Sequence, residues 1–176
     1  MELDCGHCKV RSWRLEDLES LVYHANNRNV WLNLRDRFPH PYTVEEAKKW
    51  LSHAAAAAPE VDFAIEYNGE AVGGIGFILG KDVERHSAEV GYWLGESLWG
   101  QGIVTAVLQK ATLFAFSKFN LWRVFAVPFS DNLGSIRVLE KAGFMREGVM
   151  CCSAVKDGQV KDQFLYAFVV GCPPAG

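Results

Sequence analysis

The stretch Leu98-Trp99-Gly100-Gln101-Gly102-Ile103-Val104-Thr105 decides how this chain is read. It follows an apolar and aromatic run at 86–95 that predicts a strand. It precedes residues 102–118, where Ile103, Val107, Ala111 and Phe114, with Val104, Leu108 and Ala115 beside them, form one broad apolar helical face. Thr105, Gln109 and Thr112 mark the predicted solvent side. The two glycines let the backbone approach a bulky anion, and the first amides of the helix have no acceptor within it. With the helix dipole they make an anion site, a cradle for a diphosphate, that needs no lysine or arginine. Taken alone, the segment reads equally well as a strand-to-helix turn softened by glycine. Two nucleotide motifs fail here. A P-loop needs Lys-Ser/Thr after its last glycine, whereas Ile103 follows Gly102. A dinucleotide fingerprint needs a small residue at Thr105 and an acid near the end of the next strand. No Asp or Glu occurs between Glu96 and Asp131.

Outward from this turn the pattern predicts a short strand at 8–12 and a helix at 14–25 built on Leu15, Leu18, Leu21 and Val22. A short helix near 29–34 and a loop from Arg35 to Tyr42 follow. Thr43-Val-Glu-Glu46 is a capping box that starts a helix running to about 57. Strands at 61–67 and 70–80 flank Asn68-Gly69, a hairpin signal. After the central helix come a strand at 122–127, a helix at 132–142 stopped by Gly143, and strands at 144–153 and 160–170 around Asp157-Gly158. The order β, α, α, β, β, β, α, β, α, β, β gives an α/β fold, a mixed and mostly antiparallel sheet with flanking helices. Residues 86–127 should hold a parallel strand pair joined by a right-handed crossover.

A second constellation lies at Asn132-Leu-Gly-Ser135, on the first turn of a helix that runs through Leu139 to Lys-Ala-Gly-Phe144. Asn132 and Ser135 both suit a simple capping role. One crossover separates this helix from the glycine turn, so both helix N-termini should open on the same sheet edge, where open α/β sheets bind ligands.

The chain has 176 residues, enough for one domain with a full core; 1–176 is read as a single domain with a core at about 9–170 and a tail at 171–176. Its net charge of −3 argues against nucleic-acid and anionic-membrane binding. Arg11, Arg14, Arg28, Arg35 and Arg37 alternate with Glu16, Asp17, Glu19 and Asp36 and read as a mixed surface, with Arg35 or Arg37 available to an acidic substrate. Acids at Glu2 and Asp4 stand where a secretory signal would be basic, and no apolar run reaches the roughly 18 residues of a membrane helix. A cytoplasmic protein is the expectation. Cys5-Gly-His-Cys8 has redox or half-zinc spacing, but a zinc site would need Cys151 and Cys152 to approach, so reduced cysteines and no metal are expected. The histidines show no metal-ligand spacing.

Ala88-Glu-Val-Gly-Tyr-Trp-Leu94, Trp99-Gly-Gln-Gly102, Thr105 and Asn132-x-x-Ser135 running to Lys-Ala-Gly-Phe144 together resemble GNAT N-acetyltransferases. The likeness is to the RimJ/RimL branch, which includes the ribosomal-protein N-terminal acetyltransferases, and it spans about Lys9 to Val170. It implies the GNAT fold, with the parallel strands splayed and coenzyme A inserted between 86–95 and 122–127. Pantetheine would pair with backbone around Trp93 and Leu94, and the pyrophosphate would meet Trp99, Gly100, Gln101, Gly102, Ile103, Val104 and Thr105. Asn132 would contact the pantetheine arm, and Ser135 would stand near the sulfur, where a hydroxyl can protonate the leaving thiolate.

The resemblance further implies an acetyl-CoA-dependent transfer, without metal, to a primary amine on a protein N-terminus or a small molecule. Glu89 stands where several relatives carry a base; its structural alternative is pairing with Arg85. The chain departs from the pattern at Val104, which narrows the phosphate approach, at Leu139, where many relatives have an acidic tyrosine, and at Ala154, where ribosomal-protein members have a base. The Asn26–Tyr42 segment should overhang the cleft as the acceptor wall, with Trp31, Asn33, Arg35 and Tyr42 facing it. A non-catalytic acyl-CoA sensor or interaction module on the same fold stays open as the alternative. Exposed edge strands leave a homodimer open as well.

Overall fold

The computed structural model describes residues 1–171. The predicted loose tail with Cys172 lies outside the described residues. In chain order the elements are β1 (Glu2–Asp4), β2 (Lys9–Ser12), α1 (Leu18–Ala25), α2 (Arg28–Leu32), α3 (Val44–Ala56), β3 (Asp62–Tyr67), β4 (Glu70–Leu79) and β5 (Ser87–Leu94). They continue with α4 (Ile103–Phe119), β6 (Arg123–Ala126), α5 (Leu133–Lys141), β7 (Met145–Lys156) and β8 (Gln159–Val169). The strands form one eight-stranded sheet ordered β1-β2-β3-β4-β5-β6-β8-β7. Every pairing is antiparallel except β5 with β6, the pair joined by the α4 crossover.

Period-two alternation sorts the sheet's side chains onto two cores. Phe63, Ile65, Val72, Val90 and Leu94 pack under α4 and α5, together with Val107, Leu108 and Leu139. Ala64, Ala71 and Trp93 face the other way, against Leu21 and Ala25 of α1, Ala47 and Leu51 of α3, and Tyr42. Each large aliphatic side chain taken from water here contributes about 1.5–3 kcal/mol before entropy is counted.

Four local readings are corrected. β1 was not anticipated, because three residues are too few to show alternation; it pairs Leu3 with Val10. Thr112 is buried rather than solvent-facing, and Leu113 is exposed in its place. At 100° per residue, Leu108, Thr112 and Ala115 share one face of α4. Arg11 is not a surface residue: it is 3% exposed. Its guanidinium donates to both carboxylate oxygens of Asp17 at 2.8 Å and also pairs with Glu66. The last hairpin is longer than expected, with β7 reaching Lys156 and β8 starting at Gln159. A break in register between Met150 and Ala154 interrupts the ladder, which obscures strand periodicity in the sequence.

Cys5 and Cys8 are free and buried in the β1–β2 hairpin, where the Cys5 N–H donates to the Cys8 carbonyl at 2.9 Å. Cys151 and Cys152 are on β7, at the opposite edge of the sheet, so they cannot complete a zinc set with the first pair.

Candidate active site

The cleft exists because two neighbouring strands stop pairing. β5 and β6 are in register at Ser87↔Arg123, Ala88↔Val124 and Glu89↔Phe125 only. Beyond Glu89, β5 continues along β4 to Leu94, while β6 follows β8 to Ala126. Gly80 N–H donates to the Ser87 carbonyl and Gly95 N–H to the Val72 carbonyl, both at 2.8 Å. These bonds assign the odd residues of β5 to the β4 ladder, so alternation turns the backbone groups of Val90, Tyr92 and Leu94 toward the cleft. The Trp99 indole N–H claims the Leu94 carbonyl at 2.8 Å. Trp93 therefore has its backbone committed to β4. Its side chain lies on the α1–α3 face, 5.5 Å from the Phe38 ring. Gly74 permits this: a Cβ there would come within 2.9 Å of Trp93 Nε1.

At the open end of the cleft, Gly100 and Gly102 have φ of 77° and 80°, a left-handed conformation that costs other residues about 1–2 kcal/mol. Gly102 is the N-cap of α4 and offers no side-chain cap, and the first helical bond runs from Ala106 N–H to the Gly102 carbonyl at 3.1 Å. The amides of Ile103, Val104 and Thr105 have no hydrogen-bond acceptor among the described residues. A Cβ on either glycine would meet nothing within 4 Å, so the outside of the turn is uncrowded. Ile103 is buried, and half-buried Val104 packs against the core. Gln101 and Trp99 are exposed, and the Gln101 amide group donates to the Ser97 carbonyl at 3.3 Å.

Across the V, the Asn132 side chain caps α5, its Oδ1 accepting from Ser135 N–H at 3.0 Å. Ser135 Oγ lies 2.8 Å from the hydroxyl of Tyr92, which reaches over from β5. Burial pushes the Tyr92 phenol well above its ordinary range, against a smaller opposing effect of Ser135. Leu139 is fully buried in the core. The sequence reading passed over Tyr92; the parity of β5 was the available signal, since Val90, Tyr92 and Leu94 share a face.

The opposite face of β5 carries Glu89, whose carboxylate is paired with Arg35 rather than with Arg85. Arg85 instead donates to the Asp82 carbonyl at 3.1 Å. Beside Arg35 opens a cavity of about 290 Å³ lined by Leu34, Asp36, Phe129, Ala154 and Lys156 among others. Lys156 is 1% exposed. Its ammonium donates to Asp36 at 2.7 Å and sits 3.7 Å from the centroid of a Trp31 ring. Trp31 also stacks on His40. The overhanging segment is held at its base by Asn27 and Asn29, whose side-chain amides donate to Glu96 at 2.7 and 2.8 Å. Of the four predicted wall residues, Arg35 lines the cavity and Trp31 reaches it through Lys156. Asn33 donates back to the Asn29 carbonyl. Tyr42 lies in the second core, where burial raises its phenol to about 12. Lys156 escapes the sequence pattern because the register of β7 breaks between Met150 and Ala154.

The family model for the acetyltransferase (GNAT) domain matches residues 8–145. Among curated relatives, the N-acetyltransferase p20 of Bacillus licheniformis is 26% identical over 168 residues, covering 91% of each chain. The spermidine N(1)-acetyltransferase of Escherichia coli K12 is 26% identical over 156 residues, covering 88% of this chain and 81% of its own. Among solved structures, RimL, a ribosomal alpha-N-protein acetyltransferase in complex with coenzyme A, superimposes with a TM-score of 0.85 at 22% identity. That match covers 97% of this chain and 98% of the other. This chain belongs to the GNAT acetyltransferase family and is an N-acetyltransferase with a RimJ/RimL-type fold.

Proposed function

We propose that this chain takes acetyl-CoA in the β5–β6 cleft and passes the acetyl group directly to a primary amine held at the Arg35–Lys156 cavity. The observation that carries this reading is the set of amides at Ile103–Thr105, without a partner among the described residues, that follow an uncrowded glycine turn beside the splayed strands. Backbone N–H groups at a helix N-terminus suit a pyrophosphate, and the cleft-facing backbone of Val90 and Tyr92 suits an amide-bearing arm.

Aminolysis needs a neutral amine, a polarised carbonyl and a protonated leaving thiol. Glu89, half-buried on the acceptor face, takes the amine's proton directly or through one water once the acceptor displaces Arg35. Ser135, on the cofactor face, delivers a proton to the sulfur. Asn132 orders the turn that carries Ser135.

Both protein N-termini and small amines fit this reading. The relatives support it, one being a spermidine acetyltransferase and one fold neighbour a ribosomal-protein acetyltransferase. The test is thiol release from acetyl-CoA with a panel of seryl and alanyl N-terminal peptides, spermidine and simple amino acids. Turnover of at least one member with stoichiometric acetyl-amine supports the proposal. Tight coenzyme A binding without turnover across the panel would recast the chain as an acyl-CoA sensor.

A further inference from the structure

One turn beyond Ser135 on α5 there is no hydroxyl, yet a tyrosine hydroxyl arrives at that serine from another element. Position 139 is a buried leucine. Tyr92 extends from β5 across the cleft and places its hydroxyl 2.8 Å from Ser135 Oγ and 3.4 Å from the Ser135 carbonyl. The geometry points to Tyr92 as the positioning residue for the acid of this reaction: its O–H donates to Ser135 Oγ, freeing and sharpening the Ser135 proton for the departing thiolate. This rests on the acetyl-transfer reading above and deepens it.

Three physical points carry the assignment. A phenol is more acidic than an alkyl hydroxyl, so in a Tyr–Ser pair it is the better donor. A hydrogen bond donated to Oγ stabilises negative charge there, which makes the serine O–H a better proton donor. Ser135 N–H is already held by Asn132 Oδ1. With Tyr92 donating, the remaining freedom of the serine is the direction of its own proton. Burial raises the Tyr92 phenol above its ordinary range, so Tyr92 stays protonated and acts as a donor throughout rather than as the proton source.

The amine lone pair forms the C–N bond, and the C–S bond breaks with its electron pair going to sulfur. Sulfur takes the Ser135 proton while Tyr92 O–H holds the resulting charge on Oγ. The proton shed by the amine nitrogen then restores Ser135 through Glu89 and solvent.

The test is a double-mutant cycle of Tyr92→Phe and Ser135→Ala, with melting temperatures as a fold check and two readouts. In turnover of the fastest panel amine, Tyr92→Phe should lower kcat by about fivefold to tenfold, the worth of one hydrogen bond. The KM for acetyl-CoA should be unchanged, and Tyr92→Phe should add nothing in the Ser135→Ala background. The second readout needs no acceptor: coenzyme A against desulfo-coenzyme A affinity, by calorimetry at about pH 6.5 and about pH 9.5, either side of an ordinary thiol pKa. If the pair donates to sulfur, the bound thiol titrates lower than the free one, so the coenzyme A advantage grows as pH rises. Tyr92→Phe and Ser135→Ala should each blunt that growth, and together no further.

Equal kcat losses from Tyr92→Phe with and without Ser135 would overturn the assignment while leaving acetyl transfer intact. So would an undiminished pH-dependent advantage in Tyr92→Phe. A silent amine panel with the thiol dependence present would sink the transfer reading and keep the Tyr92–Ser135 pair. Failure to bind coenzyme A at all would end both.

Discussion

The two sides of β5 are built on different principles. On the proposed cofactor side, recognition would rest on backbone: the left-handed Gly100 and Gly102, the amides of Ile103–Thr105, which have no partner among the described residues, and the cleft-facing groups of Val90 and Tyr92. On the proposed acceptor side it would rest on side chains drawn from four distant segments: Arg35 and Asp36 after α2, Glu89 on β5, Phe129 after β6, and Lys156 at the tip of β7. Backbone sites depend on where glycines permit a conformation, so few sequences make them. Ion-paired side-chain sites can be rewired by single substitutions, which suits a face that selects among acceptors.

The sharpest break between the two sides should come from Gly102→Val. A β-branched residue is strained at a φ of 80° even though the space is free. The turn would rotate its amides away, losing two or more bonds to a charged ligand at about 1.5–3 kcal/mol each. Calorimetry should show coenzyme A affinity falling by about a hundredfold or more, with the acceptor cavity untouched. Next come Ser135→Ala and Glu89→Gln, each expected to lower kcat by about a hundredfold, as for removal of an acid or a base. Affinity for acetyl-CoA, which carries no free thiol, should stay near native in both. A loss of affinity instead would mean that these residues hold the cofactor rather than act on it.

Lys156→Met keeps the bulk of the side chain and removes its charge. It should raise the acceptor KM by about fivefold at most, the worth of a weak ion pair, and leave coenzyme A binding alone. The smallest effect concerns pH and lies outside both sides. Burial lowers the imidazole pKa of His24 on α1, so the unfolded chain takes up that proton first. Stability is lost as pH falls through the ordinary histidine range of about 6.5, until the folded protein is protonated as well. His24→Gln should flatten that part of the melting-temperature profile relative to the native protein. An unchanged slope would mean that other groups set it.

This division also explains what was legible in the sequence. The candidate cofactor side could be located because its information is local: Trp99–Thr105 fall in one turn before α4, and Asn132 and Ser135 share the first turn of α5. Element order was readable for the same reason, through Asn68-Gly69, Asp157-Gly158, Gly143 and the Thr43 capping box. The acceptor side depends on contacts spanning long separations, such as Arg35 with Glu89 and Asp36 with Lys156, and no periodicity announces them. Tyr42 shows the opposite failure. Its place in an overhanging loop suggested a cleft residue, but the loop folds its aromatic side chain under Phe38 and into the second core. The interrupted register at 151–153 hid Lys156 by ending a strand pattern that in fact continues.

The most direct measurement is a residue-resolved NMR titration of the amide-labelled protein with coenzyme A. The account predicts the largest amide shifts at Gln101–Thr105, downfield as an anion accepts from them, with smaller ones at Val90–Leu94 and little change at Asp36 and Lys156. Unmoved amides at Gln101–Thr105, with the strongest shifts around the Arg35–Lys156 cavity, would contradict it.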